Sequence, residues 1–189
     1  MDPNIQAFIQ RYQPVFPSQP GELTLLDPHF SIVNYPRHHI LLHEQEKHDY
    51  AYFMLQGAAR SYYLSDGTEV NTWFAFEQDM IGSLHAYRDL PSRETVELLE
   101  NATLISINLR TLKPLTRSNL LVSQFVGSVI EEYAQFLEDR IFYSQFKNSK
   151  ERYELLLRHE PQVLQRIPLT YIASYLGISR ETLSRLRGK

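Results

Sequence analysis

Leu169-Thr-Tyr-Ile-Ala-Ser-Tyr-Leu-Gly-Ile-Ser-Arg-Glu-Thr-Leu-Ser-Arg-Leu-Arg-Gly-Lys189 reads as two short helices joined by a tight turn. Gly177 can take the positive φ that ends the first helix, and Ser179 is a good N-cap for the second. Ile172, Ala173 and Leu176 give the first helix one apolar face; Leu183 and Leu186 do the same for the second. The second helix then turns Arg180, Glu181, Ser184 and Arg185 away from its packed side, the layout of a DNA recognition helix. Arginine can read guanine O6 and N7 with two hydrogen bonds, and glutamate can accept from cytosine N4. The plainer alternative is a capped surface helix pair with solvated charges.

The charge distribution favours the first reading. Residues 140–189 carry ten Lys and Arg against four Asp and Glu, whereas residues 1–139 carry nine against eighteen. A chain of net charge −3 with one basic end presents only that end to a polyanion. The 189 residues suffice for one good-sized domain or two small ones, and 43% hydrophobic with 22% charged residues is ordinary globular composition. Cysteine is absent, which excludes disulfides, cysteine nucleophiles and cysteine-ligated clusters within the chain. No secretory leader and no apolar run of about 18 residues is visible, so a cytoplasmic location and no membrane partner are expected.

Upstream, residues 2–13 form an amphipathic helix pattern with Ile5, Phe8, Ile9 and Tyr12 on one side, broken by Pro14, Pro17 and Pro20. Short β-forming runs follow from Phe30: 50–56 and 58–64 flanking Gly57, an Asp66-Gly67 hairpin signal, then 70–76, 95–99 and 103–108. Many short strands with regular turns predict a barrel or sandwich. The period then switches. From Asn119 to about Gln145, Val122, Val126, Val129, Tyr133 and Phe136 make one apolar stripe, and Ile130, Ala134, Leu137 and Ile141 make its neighbour. A helix of some 27 residues is about 40 Å long, more than a small barrel covers. We therefore expect one stripe on the chain's own barrel and one on a second copy, with Val122, Val126, Val129, Tyr133 and Phe136 as the dimer interface. Asn148-Ser-Lys-Glu151 is a capping signal for a helix over 149–159, and Pro168 starts the helix pair. The hinge is expected over Ser144–Ser149. The domains expected are 1–118 (roll with N-terminal helix), 119–147 (dimerisation helix and hinge) and 148–189 (helix–turn–helix).

A strand-rich domain, a long helix and a C-terminal helix–turn–helix, with Gly177-Ile-Ser-Arg-Glu-Thr-Leu-Ser-Arg185 in the last, resembles the Crp/Fnr superfamily of bacterial transcription regulators over nearly the whole chain. Glu151-Arg-Tyr-Glu-Leu-Leu156 and Ile167 to Leu176 resemble its short members. The resemblance implies an α+β fold: a double-stranded β-helix (β-roll) of the cyclic-nucleotide-binding kind, a long dimerisation helix and a helix–turn–helix without a full β-hairpin wing. It implies Arg180 and Arg185 on guanines, Glu181 on a cytosine, and Thr170, Ser179, Thr182, Arg187 and Lys189 on phosphates, which set register rather than sequence. The half-site would resemble TGTGA, repeated as a palindrome about 34 Å apart along the duplex. Double-stranded DNA and a second copy are the partners implied, with RNA polymerase as a further one.

The family's cyclic-nucleotide binders carry Gly-Glu-Leu and, further on, Arg-Ser-Ala. Here the effector pocket would comprise Gly82, Ser83, Leu84, Ser92, Arg93 and Tyr133. Ser83 replaces the ribose-binding glutamate, Ser92 falls at the arginine position, and Arg93 comes one residue later. A one-residue shift in a strand turns a side chain to the other face, and Glu94 adds a negative charge nearby. Cyclic AMP is therefore not expected as effector, no cofactor is evident, and a different small-molecule effector stays open.

Two other classes remain in view. A sensor whose C-terminal part binds protein is compatible with the acidic N-terminal region. A cupin-like metalloenzyme would need ligands among His38, His39, His43, His48, Glu44 and Glu46, but adjacent His38 and His39 face opposite ways in a strand; neither a metal site nor an enzyme is expected. Family analogy alone would suggest haem at His85. Tyr62, Tyr63, Tyr87 and Tyr133 could line a pocket between barrel and long helix, or simply pack.

Overall fold

The computed structural model describes residues 2–12, 22–146 and 148–188. Pro14, Pro17, Pro20, Lys147 within the expected hinge, and Lys189 lie outside the described residues. Helix α1 (Pro3–Tyr12) starts on the proline, with the Asp2 carboxylate accepting the Asn4 N–H at 2.8 Å. It buries the four expected apolar side chains.

Among the described residues, eight strands form two four-stranded antiparallel sheets. The first has the order β1 (Phe30–Tyr35), β8 (Ala102–Asn108), β3 (Tyr50–Gln56), β6 (Met80–Ile81). The second runs β2 (Ile40–Leu42), β7 (Thr95–Leu98), β4 (Ala59–Ser65), β5 (Thr68–Ala75). Asp66 and Gly67 both adopt positive φ, 48° and 77°, as a type I′ hairpin turn requires. Gly57, at φ 120°, closes the β3–β4 corner; a Cβ there would lie 2.8 Å from the Ala102 Cβ, so only glycine fits.

Each sheet packs apolar side chains on both of its faces. Between them pack Leu42, Tyr52, Met54, Trp73, Leu98 and Leu104. The outer face of the first sheet, with Phe53, Ile105 and Ile107, is covered by α1, α3 (Leu109–Leu115) and the first half of α4 (Leu120–Phe146). Phe8 and Phe125 meet edge to face at 5.8 Å in this layer. The outer face of the second sheet, with Phe74, Phe76 and Leu99, is covered by α5 (Ser149–His159), α6 (Val163–Arg166), α7 (Leu169–Leu176) and α8 (Arg180–Arg187). Helix α2 (Leu84–Tyr87) follows β6.

Helix α4 turns part of the expected dimer stripe inward. Val122 is fully buried and Val126 nearly so in the chain's own core, with Val129 half-buried against it. Tyr133 is also half-buried. Val122 and Val126 are thus occupied within the protomer, because the roll's outer face supplies an apolar surface beside them. Phe136 is 40% exposed. The outward face of α4 instead carries Leu120, Ala134 and Ile141, all exposed, and Gly127, where a Cβ would meet nothing within 4 Å.

Candidate DNA interface and effector pocket

The turn between α7 and α8 is built by its caps. Gly177 sits at φ 63°, ψ 37°. The Ile178 N–H donates to the Ala173 carbonyl and the Gly177 N–H to the Ser174 carbonyl, both at 3.0 Å, which is a Schellman motif. The Ser179 hydroxyl accepts the Thr182 N–H at 3.2 Å and starts α8. Leu183 is fully buried beneath that helix. Pro168 stands at the N-cap of α7, its carbonyl accepting from Tyr171 and Ile172.

Arg180, Glu181, Ser184, Arg185 and Arg187 are all exposed, as are Thr170 and Ser179, with Thr182 half-exposed. Arg185 donates to the Thr182 hydroxyl at 3.1 Å, which orients its guanidinium along the helix. The Glu181 carboxyl is held below the usual carboxylate range by its own backbone N–H and then by the Ser179 hydroxyl. It is therefore an obligate acceptor at neutral pH.

Residues without a sequence signal fix this helix pair to the roll. All five N–H donors of Arg166 are engaged: two carboxylate oxygens each on Glu77 and Glu100, at 2.6–3.0 Å, and Gln162 at 2.6 Å. The Ser174 hydroxyl accepts the Asn71 N–H at 3.0 Å and donates to the Glu69 carbonyl at 3.1 Å, docking α7 on β5 at the sheet edge. Arg60 lies 4.2 Å from the Tyr62 ring centre and 3.9 Å from that of Tyr171, and pairs with Glu69 and Glu97. Arg152 donates to the Leu176 carbonyl at 2.8 Å, closing the C-terminus of α7.

The expected effector residues divide. Gly82, Ser83, Leu84 and Tyr133 line one cavity between the first sheet, α2, α3 and α4. Ser92 and Arg93 line a different, shallow cleft with Gln45 and His85. Ser92 is buried and its hydroxyl donates to the Glu94 carbonyl at 2.7 Å, while Arg93 is exposed. The Glu94 carboxylate accepts from Ser61 and, at 2.6 Å, from Thr72. Burial and then the Glu94 charge push the Tyr133 phenol up to about 12.

The histidines are dispersed in role. His38 bonds Glu97 at 2.8 Å, His39 stacks on Tyr35 at 4.0 Å, and the His48 Nε2 accepts the His43 backbone N–H at 2.8 Å. His85 Nδ1 donates to the Pro91 carbonyl at 2.9 Å. Among the described residues, no three His, Cys, Asp or Glu side chains are grouped to hold a metal ion.

The architecture is a two-sheet roll bearing a long helix and a helix–turn–helix. Residues 32–119 match the cyclic nucleotide-binding domain family. The chain shares its fold with solved bacterial regulators. FixK2 from Bradyrhizobium japonicum superposes with a TM-score of 0.72 at 21% identity, covering 84% of this chain and 83% of that one. A Crp/Fnr-family regulator from Eubacterium rectale gives 0.68 at 20% identity, covering 93% and 85%. The catabolite activator protein of Thermus thermophilus gives 0.55 at 17% identity, covering 92% and 84%. No curated protein sequence matches the chain.

Proposed function

We propose that this chain is a sequence-specific transcription regulator that reads a TGTGA-like palindrome as a homodimer. It is a binding protein and not an enzyme. The observation that carries the reading is α8: a helix capped at its start, anchored by buried Leu183, with Arg180, Glu181 and Arg185 together in solvent. Thr170, Ser179, Thr182, Arg187 and Lys189 hold phosphates around these base readers. The second copy packs along the outward face of α4, where Leu120, Gly127, Ala134 and Ile141 recur every seven residues. Gly127 and Ala134 let the two backbones approach closely. RNA polymerase is the further partner, in the cytoplasm; no described helix is long and apolar enough to cross a membrane.

Cyclic AMP is not the effector in this reading. A cyclic nucleotide needs a cation for its phosphate and polar partners for its ribose and base, but Arg93 is exposed on a separate cleft, and the cavity holding Gly82, Ser83 and Leu84 offers a cation only at its mouth, on Lys113, above an apolar interior. The test is fluorescence anisotropy of the purified protein on TGTGA-N6-TCACA and on a scrambled duplex, at about 150 mM salt. Preference of about a hundredfold or more for the palindrome is expected, unchanged by cyclic AMP. Equal affinity for both duplexes overturns the DNA-reading role; a saturable response to micromolar cyclic AMP overturns the effector argument.

A further inference from the structure

The cavity shared by Gly82, Leu84 and Tyr133 has a composition unlike a nucleotide site. Its walls are formed by Ala51, Ile107, Phe125, Val126, Val129 and Ile130, which leave almost no polar surface inside it. Gly82 and Ala51 are among its small lining residues, and a Cβ on Gly82 would lie 3.3 Å from the Ala51 Cβ. Its volume is about 80 Å³, several times the roughly 10–15 Å³ that one water requires. Apolar cavities of that size stay dry and accept apolar guests.

The mouth has the opposite character. Tyr87, Leu109 and Lys113 line both this cavity and an adjoining open cleft that contains Arg110, Arg117 and His48. Asp49 and Asp89 also lie in that cleft, but Asp49 stands 3.9 Å from Arg110, and Asp89 pairs with Lys47 at 3.3 Å. At the boundary, the Lys113 ammonium donates to the Tyr87 carbonyl at 2.6 Å and lies 5.2 Å from the Tyr87 ring centre. Among the described residues no carboxylate pairs with it, so two of its three N–H donors remain for a ligand.

An apolar cavity that opens onto a cation selects a molecule with an apolar body and one anionic end. We propose that this site binds an amphipathic organic carboxylate whose body of roughly five to eight non-hydrogen atoms fills the cavity, with its carboxylate on Lys113. This rests on the effector role given above to this end of the roll, and replaces the nucleotide with a different ligand class. Binding there repacks α2 and α3 against Val129 and Tyr133 of α4, the helix proposed to dimerise.

Calorimetric titration of the full chain with sodium octanoate tests this directly, with octylammonium as the same body bearing the opposite charge and acetate as the head alone. Octanoate saturates below about 1 mM, whereas octylammonium and acetate do not. Lys113→Met, which keeps the stem and removes the charge, weakens octanoate about tenfold or more. Val129→Phe, which fills the cavity, abolishes binding while circular dichroism stays native. If Val129→Phe misfolds, Lys113→Met alone decides. Absence of saturation in the wild type, equal binding of octanoate and octylammonium, or wild-type affinity in Lys113→Met overturns the proposal. Anisotropy on the palindrome is scored in the same preparation. Octanoate binding without DNA discrimination removes the regulator and leaves the site; the converse removes only the site.

Discussion

Arg166→Met is the sharpest perturbation of the seat between the helix–turn–helix and the roll. The side chain is only 19% exposed, and its five donors satisfy two carboxylates from the roll and Gln162 from its own segment. Methionine keeps the aliphatic stem but removes every one of these bonds and the guanidinium that lies 5.1 Å from the Phe76 ring centre. Glu77 and Glu100 are then left beside each other without a cation. Hydrogen bonds between charged groups contribute about 1.5–3 kcal/mol each when desolvated, but both glutamates are about a third open to water, which screens much of that. A loss of about 2–3 kcal/mol is the expected balance, toward the low end for breaking a buried pair. At about 2–4 °C per kcal/mol for a chain of this size, the melting temperature falls by about 5–10 °C. The pH dependence identifies the cause. Arg166 chiefly, with help from the Gly57 N–H, holds the Glu77 carboxyl down to about 2 from an ordinary 4.5. A depressed acid contributes stability above its unfolded value and loses it as pH falls through the folded one. The wild type therefore loses stability between about pH 4.5 and pH 2, and Arg166→Met flattens this limb. Urea titration across pH measures both effects. A loss under about 0.5 kcal/mol at pH 7, or strict additivity of Arg166→Met with Glu77→Gln, would refute the reasoning.

Three further outcomes follow from other parts of the molecule. Arg185→Ala removes a base reader from an exposed helix, so it should relax preference at one G·C pair by about 1–3 kcal/mol while salt-sensitive, sequence-blind binding persists, as anisotropy on single-substituted duplexes will show. Ala134→Glu places a charge on the outward seam of α4, and sedimentation should find a folded monomer; an unchanged dimer would move the interface elsewhere. Burial, and then the charge of Asp79, push the Glu160 carboxyl up to about 7. Its protonated form is the one the fold prefers, so the stability linked to it is present below about pH 4.5 and lost as pH rises through 7. Glu160→Gln should gain about 1 kcal/mol at pH 8, after screening, and little at pH 4, read by thermal unfolding.

The helix–turn–helix was legible because its signals are local. A glycine that must take positive φ, a serine cap and leucines three residues apart each act within one turn of chain, and so does the Asp66-Gly67 hairpin. The faces of α4 were not legible in the same way. Its two stripes are similarly apolar, and periodicity cannot tell a surface packed on its own roll from one packed on a second copy. Only the position of Phe53, Ile105 and Ile107 on the first sheet decides that Val122 and Val126 turn inward. The division of the effector residues had the same origin. Ser92 and Arg93 are near Gly82 in sequence, yet α2 and the chain after it place them on a separate cleft, next to His85. Arg60 and Arg166 lacked any periodic signal, since a charge placed opposite a distant carboxylate is a long-range fact. The one local hint was an arginine inside the β-forming run Ala58 to Leu64.

Helix α4 joins the proposed carboxylate site to the proposed DNA-reading head by contact. Tyr133, in the cavity wall, has its ring centre 6.2 Å from that of Phe136. The Arg140 guanidinium lies 6.0 Å from the Phe136 ring and 5.5 Å from that of Tyr175 on α7, and Tyr175 packs on Phe74 at 5.4 Å. Contact alone does not transmit a signal; a ligand shifts DNA affinity only if it binds two arrangements of this chain of rings unequally. Linkage supplies the criterion. If octanoate changes affinity for the palindrome by some factor, the palindrome must change affinity for octanoate by the same factor, about 5- to 150-fold for a typical coupling of 1–3 kcal/mol. Arg140→Met should shrink both factors together, because it interrupts the rings between site and head without touching either ligand. Two unequal factors in the wild type would mean that octanoate acts by some route other than binding to the DNA-competent protein.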